Sequence, residues 1–219
     1  MNNINGVTNY NLFVNEQLLL KNLNFVSDKH ICLLGASGSG KSLLLKEFKQ
    51  SSNFANSSFY LDEREKIDDW QSYFSYEKLD EEKQLFLRKL YSSKENIEIK
   101  NALVKKIFEH KSTIFCEQLP FTKEEFETLI TYLNQNNQKI FYVTNDIEDV
   151  IYFDYLIIIK NGQVIIEGKK DLVLQEEKLL KSMGFSLPFY INMSIQLGYY
   201  QILNTLCAEK KELGERICR

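Results

Sequence analysis

The 219-residue chain has no glycine between Gly40 and Gly162, two histidines, and four cysteines without a Cys-x-x-Cys pair. Cys32, Cys116, Cys207 and Cys218 are scattered, giving neither a zinc-ligand spacing nor a disulfide framework. Cys32 and Cys116 fall inside apolar runs and read as reduced, buried strand residues. His30 opens a strand and His110 sits near a helix C-terminus, where a cation is favoured, so neither is assigned a catalytic role. No apolar run reaches about 18 residues, the length that would span a membrane. Residues 1–25 lack the basic start and apolar block of a secretory leader. A net charge of −3 gives no overall pull toward nucleic acid. Internal repeats and low-complexity tracts are missing too.

What is present is an ordinary globular composition, 44% hydrophobic and 26% charged, enough for one large domain or a domain with an appendage. One motif stands out. Gly35-Ala36-Ser37-Gly38-Ser39-Gly40-Lys41-Ser42 matches the full G-x-x-x-x-G-K-[ST] phosphate-binding loop. Its glycines let successive backbone N–H groups turn onto a phosphate. Lys41 supplies a point charge for the β- and γ-phosphates of a bound nucleotide, and Ser42 a hydroxyl for Mg²⁺. Before it runs His30-Ile31-Cys32-Leu33-Leu34, suited to a buried parallel strand; after it, helix formers that aim a positive helix end at the same anion.

Along the chain, Val7 to Phe25 reads as two strands, followed by the strand at 30–34, a helix at 41–50 and a short strand at 59–61. Residues 62–82 are acidic and aromatic, with Trp70, Tyr73, Phe74 and Tyr76; the pattern from Glu82 to His110 is helical, broken near Ser92-Ser93. Buried strands follow at 113–116 and 140–143, separated by a helix that Thr122 and Glu125 open as a capping box. Lys160-Asn161-Gly162 joins two β-rich runs as a hairpin. A helix is predicted over 170–182, and a last one after Pro188 carries a stripe of Ile191, Ile195, Tyr199, Ile202 and Leu206. Strands alternating with helices imply an α/β fold, a mostly parallel sheet covered on both faces.

The order of these pieces resembles an ATP-binding cassette (ABC) ATPase. Tyr142-Val143-Thr144-Asn145-Asp146-Ile147-Glu148-Asp149 is similar to the family's V-T-H-D-x-E-E segment, and residues 153–168 to its terminal hairpin. Residues 177–189 resemble the start of the C-terminal extension in the ATPase subunits of energy-coupling-factor (ECF) importers. The resemblance implies a P-loop NTPase fold with N-terminal antiparallel strands. It places a nucleotide-binding domain over residues 1–172, with a trimmed helical part at about 62–110, and a helical extension over 173–219 that helps two ATPase subunits dimerise. It also implies ATP and Mg²⁺ as cofactors, membrane transporter subunits as partners, and a place on the cytoplasmic face of the membrane. Glu117 aligns with the family's catalytic base, and an aromatic of the first strands, Tyr10 or Phe13, with the one that stacks on adenine.

Several positions depart from the family. Cys116 stands where an aspartate orients Mg²⁺, and a neutral thiol is a poor Mg²⁺ partner. Asn145 replaces the switch histidine that touches the γ-phosphate; it can donate a hydrogen bond but carries no charge. The glycine-rich signature loop falls on Leu90-Tyr91-Ser92-Ser93-Lys94-Glu95-Asn96, which has no glycine. Three readings stand open. One is an importer ATPase subunit contributing an asymmetric site to a heterodimer. The others are a nucleotide-holding partner without turnover and a soluble P-loop kinase for a small molecule.

Overall fold

The structure, a computed structural model, describes residues 5–14, 17–27, 29–50, 58–61, 75–109, 113–199 and 210–217. Strands β1 (Asn5–Val14) and β2 (Gln17–Ser27) pair antiparallel as a separate hairpin. The main sheet has six strands: β3 (Ile31–Leu34), β4 (Ser58–Leu61), β5 (Thr113–Glu117), β6 (Lys139–Thr144), β7 (Tyr155–Lys160) and β8 (Gln163–Lys169), in the order β4-β5-β6-β3-β7-β8. All neighbours run parallel except β7 and β8, which form the antiparallel hairpin that Asn161-Gly162 signalled. Both turn residues take positive φ, 50° and 73°, the backbone a tight two-residue hairpin turn requires.

The sheet is buried on two faces, and β3 shows why its sequence is apolar without alternation: all four residues are buried. Ile31 and Leu33 join Phe115, Phe141, Val143, Ile157 and Ile159 against Leu44 and Leu45 of α1 (Lys41–Gln50). Cys32 and Leu34 face the other way, with Cys116, Tyr142 and Leu156, in a larger core. That core is closed by α2 (Glu81–Leu90), α3 (Ile97–Phe108) and α4 (Lys123–Gln135). Phe86 of α2 stacks on Tyr132 of α4 at 4.1 Å between ring centroids.

The helical stretch from Glu82 breaks where expected. Asp80 caps α2 by accepting from the Lys83 N–H at 2.8 Å, and Asn96, at φ 54°, takes the left-handed conformation that starts α3. The capping box at the head of α4 is formed in both directions. The helix predicted over 170–182 is instead two short ones, α5 (Lys170–Gln175) and α6 (Glu177–Ser182), because Glu176 leaves helical geometry at ψ 52°. α7 (Phe189–Tyr199) buries Ile191 and half-buries Ile195; Ile202 and Leu206 lie outside the described residues. A further helix, α8 (Lys210–Ile217), packs Leu213 near Tyr190 and Leu197. Among the aromatics of the 62–82 stretch, Tyr76 packs on the core and its hydroxyl accepts from Arg88 Nε at 3.0 Å; Trp70, Tyr73 and Phe74 lie outside the described residues, as does His110.

Candidate functional site

Parallel strands bring their C-terminal ends to one edge, and β3, β5 and β6 are neighbours there. Leu34 pairs with Thr144, and Glu117 with Val143. The loop after β3, the last residue of β5 and the first residue after β6 therefore converge. They line one cleft of about 700 Å³, to which Ser37, Gly38, Gly40, Lys41 and Ser42 of the loop, Glu117 and Gln118 at the end of β5, and Asn145 after β6 contribute. That volume suits a small-molecule ligand of nucleotide size.

The phosphate-type loop is built for its shape. Gly38 and Gly40 take φ of 79° and 104°, conformations that L side chains rarely adopt. A Cβ on Gly35 would lie 2.7 Å from the Ile159 carbonyl oxygen and 2.5 Å from Ser39 Oγ, so only glycine lets the loop leave β3 this close to β7. The Asn161-Gly162 turn braces it from behind: Gly162 N–H donates to the Ser39 carbonyl at 2.8 Å, and Lys21 N–H of β2 donates to the Gly162 carbonyl at 3.0 Å. The hairpin is legible in the sequence, but its role as a brace is not, because that contact spans more than a hundred positions.

Lys41 Nζ donates to the Gly35 carbonyl at 2.6 Å, the Ala36 carbonyl at 2.9 Å and Ser39 Oγ at 3.4 Å. The loop's own oxygens thus hold the ammonium in place. Partial burial pulls its pKa down, and nearby Glu117 opposes that shift. Ser42, Glu117 and Asn145 are exposed to the cleft. The hydroxyl of Ser42 is a hard oxygen donor open to the cleft, of the kind that fits Mg²⁺ held mainly by phosphate. Tyr10 and Phe13 stand on β1, and their side chains lie outside the described residues.

Cys116 is not part of this wall. It is 1% exposed, in the core beside Cys32 and Tyr142, and burial raises its thiol pKa far enough to keep it protonated. The register explains the row: Cys32 and Cys116 both pair with Tyr142 on neighbouring strands, so the three share one face. The Tyr142 hydroxyl accepts from the Leu119 N–H at 3.1 Å and donates to Asp149 Oδ2 at 3.2 Å. Thr144 Oγ1 donates to the same oxygen at 2.6 Å and accepts from the Asp146 N–H at 2.9 Å. Asp149 thereby holds the turn that presents Asn145, a supporting role that sequence spacing alone does not announce.

The described lining of the cleft includes none of residues 91–96. That segment lies between α2 and α3 and leans on α4: Ser93 N–H and Oγ donate to Glu125 Oε1 at 3.2 and 2.8 Å. Lys100, fully buried, donates to the same oxygen at 2.7 Å. No helix among the described residues is long and apolar enough to cross a membrane.

No family model matches the chain. It is 28% identical over 101 residues to the energy-coupling factor transporter ATP-binding protein EcfA of Malacoplasma penetrans, a match covering 46% of this chain and 35% of that protein. It is 31% identical over 102 residues to EcfA1 of Ureaplasma parvum, covering 46% and 34%. The matched stretch thus spans about a third of these curated relatives. Among solved structures, cbiO1 from Clostridium perfringens, part of the ABC transporter complex cbiONQ, superposes with a TM-score of 0.64 at 15% identity over 91% of this chain and 98% of that one. An ATP-binding subunit of an ABC transporter superposes with a TM-score of 0.61 at 16% identity, over 84% and 95%. The chain therefore has the P-loop α/β fold of the ABC ATPases, and its sequence likeness is to the ECF-type ATP-binding subunits of that family.

Proposed function

We propose that this chain is an ATP-binding subunit of an ABC-type membrane importer of the ECF kind, and that it couples ATP binding and hydrolysis to solute uptake. The observation that carries the reading is the cleft that the Gly35–Ser42 loop lines together with Glu117. In it, Lys41 and the loop amides would hold the phosphates and Ser42 would hold Mg²⁺, which when bound would offset charge on the phosphates. Glu117 accepts the proton of the attacking water as general base. Asn145 donates a hydrogen bond toward the terminal phosphate. Tyr10 or Phe13 stacks on the base.

Residues 1–172 form the nucleotide-binding domain, and 173–219 an extension that contacts a second ATPase subunit. The glycine-free segment 91–96 favours a heterodimer over a homodimer. A partner's glycine-rich loop would complete this chain's site, while the opposite site, which needs residues 91–96, would turn over slowly or not at all. Membrane subunits would dock this chain at the cytoplasmic face.

The test is binding of a fluorescent ATP analogue to the full chain. Lys41→Ala is expected to weaken affinity by about tenfold or more while the protein stays folded. Equal affinity of variant and wild type would contradict the assignment of the cleft. A second reading, a nucleotide-holding partner without turnover, is favoured by one observation: buried, protonated Cys116 adds no anionic ligand beside Glu117.

A further inference from the structure

Lys100 and Glu125 form a fully enclosed ion pair, 0% and 1% exposed, with 2.7 Å between Nζ and Oε1. Taking two charges out of water is costly, and such a pair rarely adds net stability over apolar residues of the same size. Its value must then lie in fixing geometry, and its hydrogen bonds show which geometry. Lys100 Nζ also donates to the Ser93 carbonyl at 3.1 Å and to Ser93 Oγ at 3.0 Å, so its three donors are all used. Glu125 Oε1 takes Lys100 together with the Ser93 amide and hydroxyl, while Oε2 accepts from the Thr122 N–H at 3.1 Å. One carboxylate thus joins the 92–96 segment to the end of the 118–122 segment.

A second tie runs parallel to it. Asn96 Nδ2 donates to the Pro120 carbonyl at 2.7 Å. Pro120 lines the phosphate cleft, as do Gln118 and Leu119 of the same segment. Residues 91–96 contain no glycine and still hold a sharp turn, with Asn96 at φ 54°. The turn is therefore shaped by what its side chains grip rather than by free backbone.

We propose that Lys100 and Glu125 are positioning residues that clamp the 92–96 segment to the 118–122 wall of the phosphate cleft, so that occupancy of the cleft is relayed to the exposed face of that segment. The proposal rests on the cleft being the ATP site. A ligand that orders residues 117–120 would order 92–96 with them, because two independent ties connect the segments. Without the buried pair, nucleotide would still bind the Gly35–Ser42 loop, but the 92–96 segment would no longer follow.

The experiment is hydrogen–deuterium exchange on the full chain with and without Mg-ATP, for wild type and for Lys100→Met/Glu125→Gln. The double variant removes both charges while glutamine keeps the acceptor for Thr122 N–H. ATP affinity is measured in parallel. The expected result is slowing of exchange at the amides of 92–96 by about tenfold on ATP binding in wild type. In the variant that slowing is lost and affinity stays within about threefold. Asn96→Gly, which keeps the left-handed backbone and removes only the second tie, is expected to reduce the slowing in part, and it serves the same test should the double variant not fold. ATP binding without slowing at 92–96 in wild type, or equal slowing in wild type and variants, would overturn the clamp. If wild type shows no ATP affinity, the site assignment fails and the clamp with it, an outcome the binding measurement identifies by itself.

Discussion

Cys116 shows how one side chain changes the reading of a site. By alignment with the ABC family it stands in place of an acidic residue near Mg²⁺, which suggests that an aspartate there would restore metal binding. The strand register instead turns it into the core, beside Cys32 and under Tyr142. Cys116→Asp would bury an unpaired carboxylate, a change that costs about 3–5 kcal/mol. We expect thermal denaturation of the full chain to show a large drop in midpoint, with no gain in ATP turnover. A variant of wild-type stability with raised turnover would mean that the 116 side chain reaches the cleft. At this scale the phosphate loop was legible because its residue types and spacing are set by local backbone geometry. Glu117, the last residue of β5, and Asn145, the first after β6, are singled out by the family resemblance; the Asp149 support was not legible, since spacing alone does not show that Thr144 and Tyr142 turn their hydroxyls onto it.

Between elements, His30 clasps three. The ring is buried at the start of β3, Nδ1 accepts from the Ile140 N–H of β6 at 3.2 Å, and Nε2, therefore protonated, donates to Asn134 Oδ1 of α4 at 2.9 Å. Burial, the largest influence, lowers its pKa below the ordinary 6.5. The sign follows directly: the unfolded chain takes up the proton first as pH falls, so the stabilising contribution is whole above pH 6.5 and is lost below it. Chemical denaturation at about pH 8 and about pH 5 should show a loss in wild type that is smaller in His30→Gln. An identical loss in the two would place the acid sensitivity elsewhere. The sequence placed His30 at a strand's start but could not supply its partners, which lie more than a hundred residues away. Elements with local signals were read well: the Thr122–Glu125 box, the Asn161-Gly162 turn and the break before α3 each rest on residues a few positions apart. The 170–182 stretch was read as one helix because nothing in its composition marks the departure at Glu176.

At the scale of the whole molecule, the strand order β4-β5-β6-β3-β7-β8 gathers a loop, a carboxylate and an amide at one edge of the sheet, and the β7–β8 turn backs the loop. Alternation of strands and helices predicted this architecture; the strand order itself is a matter of long-range pairing. The same topology leaves the 91–96 segment outside the cleft, tied to its wall through Glu125 and Asn96. If the chain is the importer subunit we propose, its site is half of a pair and its activity belongs to the assembled transporter. The most direct measurement is Mg-ATP hydrolysis by the complex purified through a tag on this chain, comparing wild type with Glu117→Gln. If Glu117 is the general base of a working site, turnover falls by about a hundredfold with little change in KM. Unchanged turnover would contradict the account and assign catalysis to the partner subunit.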